Sequence, residues 1–423
     1  MGADFATVTP SYSDLRIDPD RLIRRINELG EIGKIEGTIG CARLALTDDD
    51  KAGRDLVMTW MQDLDLDISI DGVGNVIATM PHTADVAPVM TGSHIDTVAT
   101  GGRYDGNLGV LAGLEVIETV ITSGVTLERP LAVGWFTDEE GARFAPDMLG
   151  SLVYVGGMPI EDALEIEDAD GVNVGDELTR IGYRGPVPCP GPAPHAFVEL
   201  HIEQGPVLED EDVTIGVVEG VQGISWTELT LQGQSCHAGT TPLRMRHDPG
   251  VVASRVCCFI RDLALEMGPS QVATVGVMNF EPNLINVVPD VVTMTIDLRN
   301  TDESLLQDAE ERVRSYIDEI ATSEGVEVES RTLARFEPVS FDPRVIDMVE
   351  AAAHKQHLSS RRLPSGAGHD AQMLARVCPT AMVFVPSVNG ISHNVTEFTE
   401  AVDIEAGANV LLQTLLSLTE TEF

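Results

Sequence analysis

At 423 residues the chain is too long for one compact core and about the right length for two domains. Its hydrophobic content of 43% argues against disorder, and a formal charge of -41 argues against binding nucleic acid, whose phosphates it would repel. Only three of the 27 basic residues are lysines, an acidic and arginine-biased balance that suits concentrated salt, so a halophilic source is expected over an ordinary acidic mesophile.

No run of about 18 apolar residues is present to span a bilayer. The N-terminal stretch MGADFATVTPSYSDLRIDPD carries acids where a signal peptide needs basic residues and an apolar core. Gly2 invites a lipidation reading that the charge speaks against. Six cysteines without CxxC spacing read as reduced thiols, and a cytoplasmic location is expected.

In chain order, DPDRLIRRINELGEIG places Leu22, Ile23, Ile26 and Leu29 on one helical face. A second helix around KAGRDLVMTWMQDL precedes the strands DISID and NVIATM, with GVG turning between them. The strand VAPVMTG, the helix LGVLAGLEVIETVITSG and the strand PLAVGWFT follow. Apolar strands separated by helices predict an α/β fold with a mixed, mostly parallel sheet sandwiched by helices. From about Ile215 the pattern changes. SWTELTLQG, PGVVASRVCCFIRDLALEMG, QVATVGVMNF, VVTMTIDLRN, ESLLQDAEERVRSYIDEIATSEG and VEVESRTLA give the β-α-β-β-α-β order of a ferredoxin-like α+β unit. The α/β pattern then resumes with the helix PRVIDMVEAAAHKQH, the strand TAMVFVPS and the helix AGANVLLQTLLSLTE. The expected domains are therefore 1–212 with 335–423, and an inserted 213–334, with hinges at LEDEDV and ARFEPVSFDP. The acidic stretch IEDALEIEDADG reads as solvated surface, since it lacks the EF-hand order.

Four polar segments sit at the ends of predicted strands. GSHIDTVATGGRYDG brings His94, Asp96 and Asp105; FTDEEGARF brings Glu139 and Glu140; VELHIEQGPVLE brings His201; GISHNVTEFTE brings His393. Ligands in such sheets bind beyond the carboxyl ends of the strands. Singly, DEEG is an ordinary acidic turn and His201 an ordinary hydrogen-bonded histidine. Together, such histidines, one shared aspartate and one glutamate can hold a pair of divalent ions. Neighbours in an extended segment point to opposite sides, so one glutamate can coordinate while the other faces a water. A carboxylate two residues after His94 can orient its imidazole.

The segments GSHIDTV, GGRYDGNLGVLAGLE, FTDEEGARF, ELHIEQGP, GQSCHAGTTP, SGAGHDA and ISHNVTE, in this order along nearly the whole chain, resemble the hydantoinase/carbamoylase branch of the zinc amidohydrolases. That branch holds N-carbamoyl-L-amino acid hydrolases, β-ureidopropionases and allantoate amidohydrolases, within the aminoacylase/carboxypeptidase superfamily. The resemblance implies two divalent metal ions per subunit (zinc, or manganese, cobalt or nickel) and an inserted lid that also forms a homodimer. It implies His94 and His201 on one metal, Glu140 and His393 on the other, and Asp105 bridging. Asp96 becomes the orienting partner of His94, and Glu139 the general base. Gln204, Asn286, Arg299 and Gly368 become substrate contacts, with Arg299 gripping a carboxylate. His237 becomes the oxyanion donor, reaching the neighbouring subunit's site. His369, beside Gly368, reads as a structural residue or an outer partner of the site rather than a catalytic one. The implied reaction is hydrolysis of a ureido or N-acyl carboxylate. An N-carbamoyl-L-amino acid would give the L-amino acid, ammonia and carbon dioxide, with allantoate as the alternative. The chain departs from the family at Leu243, at Arg246-His247 and at Cys236, which bears on substrate fit more than on metal binding. No GxSxG elbow, Walker A or HExxH motif offers a rival mechanism. A binding protein that has lost catalysis fits poorly, because every implied ligand and the base are present.

Overall fold

The computed structural model describes residues 12–423. The stretch 1–11, which carries Gly2 and most of the segment weighed against a signal peptide, lies outside the described residues. Two compact units result: one runs to Glu219 and resumes at Ser340–Phe423, the other is Gly220–Val339. Among the described residues no helix is long and apolar enough to cross a membrane.

The first unit is built on a nine-stranded sheet. Its centre is four strands: β1 (Val89–His94), β2 (Leu131–Phe136), β3 (Ala196–Ile202) and β4 (Thr380–Val385), every residue of which is buried. They lie in the order β2-β1-β3-β4 and are all mutually parallel. The hairpin Asp67–Ile70/Val76–Thr79 extends the sheet beyond β2 with antiparallel pairing. Beyond β4 lies Ile215–Val221, also antiparallel. Continuous burial is what a parallel sheet covered by helices demands of its strands, and the apolar runs supply it. Helices Asn107–Ser123, Pro343–Lys355 and Ala401–Thr419 pack against these strands.

Three helices begin on an Asp-Pro pair. Asp18, Asp248 and Asp342 each accept a main-chain N–H of the first turn, and the proline that follows sits where a helix has no N–H to lose.

The second unit has a five-stranded sheet, order Met278–Glu281, Val291–Asn300, Gly223–Gln232, Glu327–Phe336, with Val272–Thr274 also on Val291–Asn300. All its pairings are antiparallel. Along Val291–Asn300 burial alternates residue by residue, as in a sheet with one face on a core. Leu231, Val292, Met294, Val256 and Ile260 make that core with the two helices. The chain order of this unit follows the split β-α-β-β-α-β read from the sequence, except that the strand after the first helix is broken in two.

Three expectations are corrected. The inserted unit starts at Gly220 and ends at Val339, not at 213 and 334, because Ile215–Val221 hydrogen-bonds to β4 inside the large sheet. LEDEDV is accordingly no hinge: Val207–Asp210 is a helical turn leading into that strand. QVATVGVMNF is two short strands, Val272–Thr274 and Met278–Glu281, rather than one. The acidic stretch is solvated as expected: Glu161, Asp162, Glu165, Glu167 and Asp170 are exposed, and half-buried Asp168 pairs with Arg143 at 3.0 Å.

Candidate metal centre

The polar segments converge beyond the carboxyl ends of the central strands. His94 is the last residue of β1, and His201 is the next to last of β3. Glu139 and Glu140 follow β2, and His393 follows β4. Asp105 closes the loop between β1 and helix Asn107–Ser123.

Asp105 is the junction. Its Oδ1 lies 3.5 Å from His94 Nε2 and 3.2 Å from His201 Nε2, while Oδ2 lies 3.4 Å from His393 Nε2. Glu140 Oε2 stands 3.2 Å from the same His393 nitrogen. Two donor clusters share Asp105, His94/Asp105/His201 and Asp105/Glu140/His393, each with its ligand atoms within 4.8 Å of one another. The first is buried throughout. In the second the His393 side chain is 51% exposed, so that cluster opens to solvent.

The imidazoles are turned for this. Nδ1 of His94 donates to the Asp96 carbonyl at 2.9 Å, and Nδ1 of His201 to the Ile202 carbonyl at 2.9 Å. Each Nε2 is thereby left facing the carboxylates, the arrangement of histidine metal ligands. Burial lowers the His94 pKa, but Glu139, Asp105, Asp96 and Glu140 overcome it and hold the ring well above its usual value. For His201, burial is likewise outweighed by Asp105. His393 is pushed up to about 10 by hydrogen bonds to Asp105 and Glu140. Burial raises Asp105, yet its bonds to the three histidines take it well below the carboxylate range. Asp105, Glu139 and Glu140 are paired with imidazoles, not with Lys or Arg, and buried Glu140 Oε1 has no hydrogen-bond partner. So much buried negative charge, set among nitrogen and oxygen donors, fits divalent cations.

Glu139 Oε2 lies 3.4 Å from His94 Nε2. Burial, only partly offset by His94, drives its pKa well above the carboxylate range, with Asp370 and Glu140 adding to the effect. A buried carboxylate with a raised pKa beside the cation site suits proton transfer.

Asp96 works differently from expectation. The contact that orients His94 is its main-chain carbonyl, while its carboxylate accepts the Glu139 and Glu140 N–H groups, both at 3.4 Å. Its pKa is pushed up to about 6, mainly by burial. Gln204 donates through Nε2 to Asp105 Oδ2 at 2.8 Å, and its Oε1 is buried and unpartnered. Gly368 precedes buried His369, and a side chain at 368 would come within 3.0 Å of Met148.

The remaining expected residues belong to the second unit. His237 is exposed, and its Nδ1 accepts the N–H groups of Gly239 and Thr240 at 3.0 and 3.2 Å, so its proton sits on Nε2. The Arg246 guanidinium closes that turn onto the Thr241 and Ala238 carbonyls. The Asn286 carbonyl accepts from Ala238. Arg299 pairs with Asp297 two residues earlier at 3.0 Å and lies 5.8 Å from the Trp226 ring.

Glu199, Ser392 and Glu397, not singled out from sequence, also enter, as does His369. Glu199, two positions before His201 and fully buried, accepts from Ser93 Oγ at 2.6 Å and from the Ala371 N–H at 2.9 Å. The His369 ring stacks edge-on to His201 with centroids 4.6 Å apart, and burial keeps its pKa well below the usual value. Ser392 and Glu397 bond to the Asp105 loop. Period-two spacing could have put Glu199 beside His201, whereas only the fold brings Glu397 to Asp105.

Gly106 shows how tightly the loop is built. Its φ is 63°, and a Cβ there would lie 2.3 Å from the His94 ring. Gly106→Ala should cost about 1–3 kcal/mol for the backbone alone and displace His94. Thermal denaturation and metal analysis of the purified variant check this; wild-type values for both would contradict it.

A carboxylate-imidazole centre of this kind, at the carboxyl edge of an α/β sheet, defines a metallohydrolase. The chain belongs to Peptidase family M20/M25/M40, whose family model matches residues 90–417. It is 41% identical over 407 residues to an N-carbamoyl-L-amino-acid amidohydrolase of Rhizobium meliloti, covering 96% of this chain and 97% of that one. To the allantoate amidohydrolase of Escherichia coli (strain K12) it is 37% identical over 356 residues, covering 84% and 87%. A crystal structure of an amidase of the hydantoinase/carbamoylase family from Burkholderia multivorans matches it with a TM-score of 0.94 at 45% identity, covering 97% of this chain and 100% of that one. The resemblance drawn from the seven motifs is thus borne out, and the chain is a hydrolase of a metal-dependent family.

Proposed function

We propose that the chain hydrolyses an N-carbamoyl-L-amino acid to the L-amino acid, ammonia and carbon dioxide, using two divalent ions per subunit. The observation that carries this is Asp105, with one oxygen turned to His94 and His201 and the other to His393. His94, His201 and Asp105 would hold one ion; Asp105, Glu140 and His393 the other. Such ions, zinc or manganese, cobalt or nickel, would supply an ionised water at neutral pH and polarise the scissile carbonyl.

The side chains do the rest. Glu139 takes the water's proton at its carboxylate and delivers it to the leaving nitrogen. His237, protonated on Nε2, donates to the developing oxyanion. Arg299, steadied by Asp297, grips the substrate carboxylate with its planar fork. Gln204 and Asn286 bond the ureido group, and Gly368 lets the backbone approach. A homodimer through the Gly220–Val339 unit, acting as a lid, and a cytoplasmic location complete the reading. Exposed Leu243, Met245, Leu284 and Ile285 on that unit support the dimer.

Allantoate is the second reading, favoured by its named relative and by the same pairing of ureido group and carboxylate. Ammonia release from N-carbamoyl-L-amino acids, β-ureidopropionate, allantoate and an N-acyl amino acid, with each metal added, separates the two. The expected result is fastest release from an N-carbamoyl-L-amino acid. Faster release from allantoate would replace the first reading with the second, and no release with any metal would sink both. The panel is run in dilute buffer and in molar KCl; highest activity in dilute buffer would contradict adaptation to salt.

A further inference from the structure

We infer that Glu397 is a positioning residue that sets Asp105 and His393 at the separation the two donor clusters need, an inference that rests on the metal-centre reading above. Asp105 lies in a loop with glycines at 101, 102 and 106, which has little backbone stiffness of its own. His393 lies in a different loop, after β4. Glu397, 1% exposed, joins them. Its Oε1 accepts the main-chain N–H groups of Tyr104 and Asp105, both at 3.2 Å. Its Oε2 lies 2.9 Å from Ser392 Oγ, and that hydroxyl is 3.0 Å from Asp105 Oδ2. The Glu397 N–H bonds the Asn394 carbonyl at 3.0 Å, so the turn just after His393 carries the anchor. One carboxylate therefore grips the Asp105 backbone directly and reaches its side chain through the residue next to His393.

Gly102 is cut to fit this anchor. A Cβ at 102 would lie 2.1 Å from Glu397 Oε1, although Gly102 has no left-handed backbone that would itself call for glycine. The space at 102 is reserved for the carboxylate. Glu397 touches neither donor cluster's ligand atoms as a ligand; it acts through Asp105 and Ser392.

The test compares Glu397→Gln, Glu397→Ala, Gly102→Ala and the double variant Glu397→Ala/Gly102→Ala in the full chain. Cobalt affinity is measured by calorimetry after chelator treatment, beside thermal melts that report folding. Glu397→Ala and Gly102→Ala should each weaken cobalt binding about 10–100-fold, the usual effect of losing an outer hydrogen-bond partner. Glu397→Gln keeps an acceptor for both N–H groups and should stay within about threefold of wild type. The double variant should lose less than the two single losses combined, because removing the carboxylate takes away the two nearest clashes at 102 and leaves only the Cβ of residue 397, 2.5 Å away. Should Glu397→Ala fail to fold, Gly102→Ala decides alone, since it moves the carboxylate without removing it. Wild-type cobalt affinity in a folded Glu397→Ala or Gly102→Ala, a Gln variant as weak as Ala, or additive losses in the double variant would each overturn the inference. A wild-type chain that binds no cobalt would instead overturn the metal-centre reading itself.

Discussion

Glu139→Gln should lower kcat by about 10²- to 10⁴-fold while leaving metal content unchanged. The expected loss is about 3–5 kcal/mol of barrier, the contribution of one well-placed general base. Geometry separates this residue from its neighbour. Glu140 Oε2 faces His393, whereas Glu139 Oε2 faces His94, which already has Asp105 beside it. Glutamine keeps the size and polarity of the side chain, and its main-chain N–H still bonds Asp96. What it lacks is a site for the water's proton. Metal analysis and steady-state ammonia release on the same preparation make the comparison. A variant that binds metal normally and hydrolyses at the wild-type rate would sink the general-base assignment. One that loses metal would make Glu139 a ligand instead.

The sequence made the sheet and the donor set legible for one physical reason. Each ligating type stands at the end of an apolar run, and in a parallel sheet such ends share an edge. His94, His201 and the Glu139-Glu140 pair follow directly from this, and the structure brings them together. Asp105 and His393 lie further along their loops, where spacing alone leaves their place open. Asp96 marks a limit of a different kind. Its carboxylate is the partner that the spacing suggests for His94, but every residue has a carbonyl, and it is the carbonyl that orients the ring. Ile215–Val221 falls outside the expected 1–212 domain because a run such as IGVVEGV does not say which sheet it joins. Its partners, Met382 to Phe384, are far off in sequence. Glu397 is illegible in the sequence for the same reason: its work is long-range, on Tyr104 and Asp105.

Replacing Asp105 should have the largest effect on the metals, and Asp96 supplies the control. Asp105 is the one side chain common to both clusters, with an oxygen committed to each. Asp105→Ala should leave less than one equivalent of metal after dialysis and abolish ammonia release. His393→Ala removes a donor from the solvent-open cluster alone and should keep the buried equivalent. Asp96→Ala preserves the carbonyl that orients His94 and removes only the carboxylate that holds the Glu139 and Glu140 N–H groups. Its metal affinity should fall about 10–100-fold, as for other outer partners, with both equivalents still binding at saturation. Had the Asp96 carboxylate been the orienting group, its loss would strike the His94 cluster first. Titration of zinc into the three variants by calorimetry, with thermal melts to confirm folding, reads stoichiometry and affinity together. If Asp105→Ala and Asp96→Ala lost metal to the same extent, Asp105 would not be the bridge. If His393→Ala lost both equivalents, the two clusters would be a single site.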